Sequence, residues 1–237
     1  MVSYKQGKAK IAIAGGMEMA LGTHWEWRGF GAVSGEFARR YSALEPQYPP
    51  QSVTDDYLWV SGLEVNVKVR NIPTEPFKFK RLQAKDGELE QWAENPEDIF
   101  RFPLDRSGWD ALAGMLATVN VMLGPYPSEK ADVETTLTRL KEAGARIVTV
   151  TKRRESRLCQ GPHGKVLVEW TCISSPQAII SIGLETWDEG PGGQGLSDQQ
   201  AKEDILAAIR ELGLRNEPLR VLNYVGAVTV WASGGKV

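Results

Sequence analysis

Four short stretches of the chain place charged residues two apart: His24-x-Glu26-x-Arg28, Lys68-x-Arg70, Lys78-x-Lys80 and Lys152-x-Arg154. In an extended strand successive side chains point to opposite faces, so residues two apart share one face. Arg28, Lys68, Arg70, Lys78, Lys80, Lys152 and Arg154 therefore make basic faces on four strands, while the interleaved Trp25, Trp27, Val67, Val69, Phe77 and Phe79 are suited to packing beneath helices. Glu26, Glu64, Glu169 and Glu185 are the carboxylates at matching positions. If these faces line one enclosed lumen, seven cations repel one another and call for a polyanion. Phosphoryl transfer asks little covalent chemistry of a protein, mainly positioning and stabilisation of charge. Magnesium takes one or two carboxylates together with substrate phosphates and waters. Glu26, Glu169 and Glu185 are thus a candidate metal set, and Glu26 and His24 are candidate catalytic groups, His24 as a general base or a ligand. An antiparallel sheet with one solvated face carries the same alternation, although a near-neutral protein usually mixes signs on such a face to avoid cross-strand repulsion.

The elements that must position these residues read as strands at hairpin spacing, separated by helices. Strands are expected from Thr23 to Arg28, from Asp55 through Val60, over 64–70, over 77–80 and at Leu89–Ala93, before a turn at Pro96 and Asp98. Pro46, Pro49 and Pro50 mark a loop after a short helix over 35–44 with Ser34 as cap. A second helix follows Asp105 or Ser107, and a third runs from about Glu129 to Ala143 with Ser128 as cap and Gly144 as stop. Strands 146–158 and 165–173 form a hairpin through Gln160–Gly164, followed by a strand over 178–187. Gly190–Gly195 is a loop without the Gly-Lys-Ser/Thr ending of a phosphate-binding P-loop. Ser197 and Gln200 form the capping box of a helix that Gly213 stops. Leu219–Ala232 reads as a last strand pair broken at Gly226.

Composition sets bounds. The 237 residues carry 28 Lys and Arg against 30 Asp and Glu, which argues against an extended nucleic-acid surface and makes any anion site local. The apolar stretch Ile11–Ala14 is too short for a signal-peptide core or a membrane span, so a cytoplasmic protein is expected. Two cysteines and two histidines do not fit the usual spacing of a closed zinc site, and free thiols are the expectation.

The order of these motifs resembles the CYTH superfamily of triphosphate-tunnel metalloenzymes. The family's opening Glu-x-Glu-x-Lys strand is similar to His24-x-Glu26-x-Arg28, its paired basic strand to Lys68-x-Arg70, and its next lysine to Lys78 or Lys80. Its later Lys-x-Arg resembles Lys152-x-Arg154, and its following carboxylates Glu169 and Glu185. The resemblance spans about 23–224 of a chain read as one domain over 1–237. It implies an α+β, mainly β fold: a closed antiparallel eight-stranded β-barrel forming a tunnel, with helices packed outside. It also implies a metal-dependent hydrolase of a triphosphate- or polyphosphate-containing compound, with magnesium or manganese held by glutamates. The chain departs from the pattern where His24 replaces the first glutamate and Gly183 stands with Glu185 on the late strand. These departures favour, as the alternative, a non-catalytic phosphate-chain or nucleotide binding module of the same fold.

Overall fold

The computed structural model describes residues 10–11, 19–20, 22–70, 76–94, 99–128, 131–187 and 195–237. The expected Pro96–Asp98 turn and most of the Gly190–Gly195 loop lie outside them, as do residues 12–14 of the N-terminal apolar stretch and residues 129–130 of the helix expected from Glu129. Lys10–Ile11 (β1) and Met19–Ala20 (β2) pair with each other. Eight longer strands follow: Gly22–Gly31 (β3), Glu45–Trp59 (β4), Val65–Arg70 (β5), Phe77–Asp86 (β6), Leu89–Glu94 (β7), then, beyond the two-residue Ile99–Phe100 (β8) that pairs β6, Arg146–Gln160 (β9), Lys165–Ser175 (β10) and Ile179–Trp187 (β11). Every pairing is antiparallel, in the order β11-β10-β9-β4-β5-β6-β7-β3, and β3 pairs back to β11, which closes an eight-stranded barrel. Closure removes the unpaired edges that an open sheet must otherwise protect. The three-residue strand Leu219–Val221 (β12) adds to β3 beyond the end of its β7 pairing, opposite β11.

Strand alternation decides what packs where. The odd-numbered residues of β3 and β5, and of β6 before its irregularity at Leu82/Ala84, point outward. Trp25 and Trp27, with Val166, Val168, Ile182 and Leu184 of β10 and β11, are covered by Gly35–Ser42 (α1) and Asp198–Glu211 (α4). Val67, Val69, Phe77 and Phe79 are covered by Arg106–Ala117 (α2) and Val133–Glu142 (α3) through Trp109, Leu112, Leu116 and Leu140. Burying a large apolar side chain contributes about 1.5–3 kcal/mol, so these two layers fix which face of each strand is turned inward.

Caps at Ser34 and Asp105 and the Ser197–Gln200 capping box are present as expected. Three expectations are corrected. α3 is capped by Asp132, whose carboxylate accepts from Thr135 N at 2.8 Å, and not by Ser128. The proline stretch 46–50 belongs to β4. Its pairing with β9 skips between Pro46 and Tyr48 and again between Tyr48 and Gln51; Pro49 and Pro50 fall in the second skip, where no ladder N–H is asked of them, while Pro46 stays in register with Arg157. The segment 224–232 is the helix Tyr224–Ala232 (α5), capped by Asn223, and not a strand. Tyr224, Ala227, Val228 and Trp231 of α5 pack on Phe30, Tyr57, Val148, Val150 and Ile173, the inward residues at one end of the barrel, so α5 closes that end.

Candidate functional site

Behind this apolar plug most of the inward residues are charged. His24, Glu26, Arg28, Lys68, Arg70, Lys78, Lys80, Lys152, Arg154, Glu169 and Glu185 all line one cavity of about 170 Å³, with Tyr48, Asn66, Glu94 and Tyr224 among its other walls. The structure thus gathers every expected site residue into one lumen, while Glu64 lines an adjoining cavity of about 530 Å³ toward Lys85, Glu88 and Glu90. Seven Lys and Arg side chains line the lumen against four glutamates.

Nearest the plug the centre is Asp55, fully buried. Arg70 grips it with Nε to Oδ1 at 2.7 Å and Nη2 to Oδ2 at 3.2 Å; Lys152 Nζ lies 2.8 Å and Lys68 Nζ 3.6 Å from Oδ2. Burial alone would raise the Asp55 carboxyl, but these three cations together hold it well below the usual range. One carboxylate cannot serve three cations equally. Arg70 and Lys152 take the close contacts, and burial together with their repulsion lowers Lys68 to about 7 despite Asp55. The Lys152 ammonium also lies 4.3 Å from the centroid of the Tyr224 ring, which stacks on Tyr57.

A second group forms around Glu169. Arg28 donates to Glu169 Oε1 at 3.2 Å and to Ser181 Oγ at 3.0 Å, Thr171 donates to the same carboxylate oxygen at 3.0 Å, and Arg154 Nη1 lies 3.5 Å from Oε2. Burial opposes ionisation of Glu169, yet Arg28 and Arg154 hold its carboxyl below the ordinary range. Gly183 faces Arg28 across the β3–β11 pair, and a Cβ there would lie 2.5 Å from Arg28 Nη2. Glycine at 183 makes room for the arginine fork.

Farther from the plug, His24 Nε2 lies 2.7 Å from Glu26 Oε1 and 3.4 Å from Glu185 Oε1, and the Lys80 ammonium also contacts Glu26 Oε1. Burial and Lys80 act to lower the imidazole pKa; Glu185 and Glu26 outweigh them and leave it raised. The ligand atoms of His24, Glu26 and Glu185 all lie within 4.8 Å of one another. Of the three glutamates expected to hold a metal, two therefore come together with His24, whereas Glu169 sits between two arginines. Two buried acceptors of the same cavity, Asn66 Oδ1 and Glu94 Oε2, make no hydrogen bond among the described residues. A mixed nitrogen and carboxylate donor set beside unsatisfied acceptors fits a divalent cation.

Sequence reasoning missed Asp55, although it stands two before Tyr57 on a strand and so shares its face. It also missed Tyr224, hidden in a segment read as a strand, and Glu94, one residue past an expected strand.

Fold and site together define a closed antiparallel barrel whose plugged lumen is lined mainly by cations. No family model matches the chain, and no curated protein matches it. Among solved structures it is similar to a conserved hypothetical protein from Pyrococcus furiosus (TM-score 0.49, 16% identity, covering 85% of this chain and 98% of the other). It is also similar to a putative adenylate cyclase from Bacillus halodurans (TM-score 0.45, 13% identity, 86% and 97%) and to a protein of Pyrococcus horikoshii OT3 (TM-score 0.42, 12% identity, 86% and 98%). At these identities none of them assigns an activity to this chain. No helix among the described residues is long and apolar enough to cross a membrane.

Proposed function

We propose that the chain binds the phosphate chain of a triphosphate- or polyphosphate-containing small molecule in the barrel lumen and hydrolyses it with a divalent metal such as magnesium or manganese. The observation that carries this reading is the convergence of seven Lys and Arg side chains on one cavity closed at the α5 end, with Asp55 shared by three of them. Lys68, Arg70 and Lys152 hold the phosphates nearest the plug. Arg28 and Arg154, oriented by Glu169, offer planar forks that match phosphate oxygens, and Lys78 and Lys80 extend the row along β6. His24, Glu26 and Glu185 would hold the metal, which when bound neutralises charge on phosphoryl oxygens. The apolar residues beneath α5 exclude water from the closed end. Phosphate release from a panel of nucleoside triphosphates, tripolyphosphate and polyphosphate, with magnesium or manganese, tests the reading. Turnover of at least one member is expected, and none under any metal would refute the hydrolase.

One observation favours the non-catalytic alternative. Two of the expected metal glutamates already have cationic partners, Glu26 in Lys80 and Glu169 in Arg28 and Arg154. That reading predicts tight triphosphate binding without turnover.

A further inference from the structure

We propose that His24, Glu26 and Glu185 form a site for a first-row transition-metal dication, and that the His24 imidazole sets its preference away from magnesium. The inference rests on the reading of the lumen as a metal-assisted phosphate site and adds which metal this chain takes. Two donors on one ion at ~2.1 Å stand at most about 4.2 Å apart. His24 Nε2 already lies 2.7 Å from Glu26 Oε1 and 3.4 Å from Glu185 Oε1. Small side-chain movements therefore bring all three donors onto one ion. The three residues come from adjacent strands: Glu26 is the direct cross-strand partner of Glu185, and His24 is two residues along β3 on the same face. The ladder thus holds the donors at fixed spacing.

A cation is already drawn to this point, since the Lys80 ammonium rests on the Glu26 oxygen that faces His24. Lys80 is the resident competitor: an arriving dication displaces it from Glu26, leaving its ammonium for the phosphate chain. Magnesium is a hard ion that keeps an octahedron of oxygens, whereas imidazole suits zinc, cobalt and iron. Replacing one carboxylate donor by an imidazole lowers the charge of the site and supplies a softer ligand. Both changes favour the transition metals.

The test uses the whole chain loaded with zinc and observed by 15N NMR of its histidine side chains. The chain has two histidines. His163 pairs with Glu203 outside the barrel and serves as the internal reference. The expected result is a shift of the His24 Nε2 resonance that saturates at one equivalent of zinc and resists a tenfold excess of magnesium. A His24 resonance that does not move, or that magnesium restores at equal concentration, overturns the proposal. His24→Glu is expected to reverse the order, with magnesium gaining on zinc by at least about tenfold. Lys80→Met is expected to tighten zinc binding by removing the competitor, and weaker binding contradicts a shared site. Binding of tripolyphosphate to the metal-free protein, measured in parallel, separates the two claims. If it persists while zinc does not bind His24, only the metal site fails; if it is absent while zinc binds, the phosphate reading fails.

Discussion

Asp55→Asn is the perturbation that most exposes how the lumen is balanced. Asp55 is fully buried and bears on Arg70, Lys152 and Lys68 at 2.7, 2.8 and 3.6 Å. Removing one member of a buried ion pair costs about 3–5 kcal/mol, because the remaining charge is left uncompensated. The amide keeps the carboxylate's shape and one acceptor for Arg70, which places the expected loss toward the lower end. In a chain of this size about 1 kcal/mol moves Tm by roughly 2–4 °C, so the melting point should fall by roughly 6–12 °C at a loss of about 3 kcal/mol. The variant lumen is one unit more positive, and a phosphate chain should offset that loss. A ligand at a hundred times its Kd contributes about 2.7 kcal/mol, and tripolyphosphate should stabilise the variant by more than it stabilises the native chain. Thermal and urea melts with and without tripolyphosphate, at low salt, measure both quantities. An unchanged melting point would refute the role given to Asp55. So would a loss that tripolyphosphate offsets no better than it stabilises the native protein, because the cations would then not be waiting for an anion.

Three further outcomes follow from the same geometry. Lys68 is lowered to about 7 in the folded chain against an ordinary value of 10.5, so between these pH values the unfolded chain holds the extra proton and stability rises with pH. A bound phosphate chain favours the charged ammonium, and binding near pH 8 should therefore take up a proton that the Lys68→Met variant does not, read by calorimetry in buffers of different ionisation enthalpy. Gly183→Ala should push the Arg28 guanidinium off Glu169 and Ser181, costing about 1–3 kcal/mol by overpacking and weakening tripolyphosphate binding. Unchanged affinity would show that Arg28 does not touch the ligand. Trp231→Ala removes an aromatic that packs edge-on against Phe30 and donates to Gln177; a loss of about 3–5 kcal/mol is expected, with hydrogen exchange fastest in α5 if this helix is the plug.

Much of the architecture is legible in the order of residues because alternation is a strong constraint. Once Val67, Val69, Phe77 and Phe79 need covering by α2 and α3, Lys68, Arg70, Lys78 and Lys80 must face the other way, and barrel closure brings them together. Caps read well where one side chain and one N–H decide them, as at Ser197 and Gln200. The failures are places where tertiary contacts outweigh local preference. The sequence of α5, Tyr-Val-Gly-Ala-Val-Thr-Val-Trp-Ala, is rich in β-branched and aromatic residues and nearly uniform in hydropathy, so it signals no helical face. It is helical because Asn223 caps it and one face docks on the barrel end. Pro46, Pro49 and Pro50 read as a loop because pairing irregularities that excuse a proline leave no mark on the sequence. Asp55 escaped notice because it stands beside Asp56 at the start of the expected strand, with no alternating partner to mark it. Its importance comes from Lys68, Arg70 and Lys152, which reach it from two other strands.

The central claim, that the cationic lumen is a phosphate-chain site, is tested most directly by calorimetric titration of the purified protein with inorganic tripolyphosphate beside orthophosphate, at low and at moderate salt. The account predicts one equivalent of tripolyphosphate bound, more tightly than orthophosphate, with affinity falling as salt rises and lost when Lys68 and Arg154 are both replaced by methionine. Tripolyphosphate bound no better than orthophosphate, or equally well by that double variant, would contradict it.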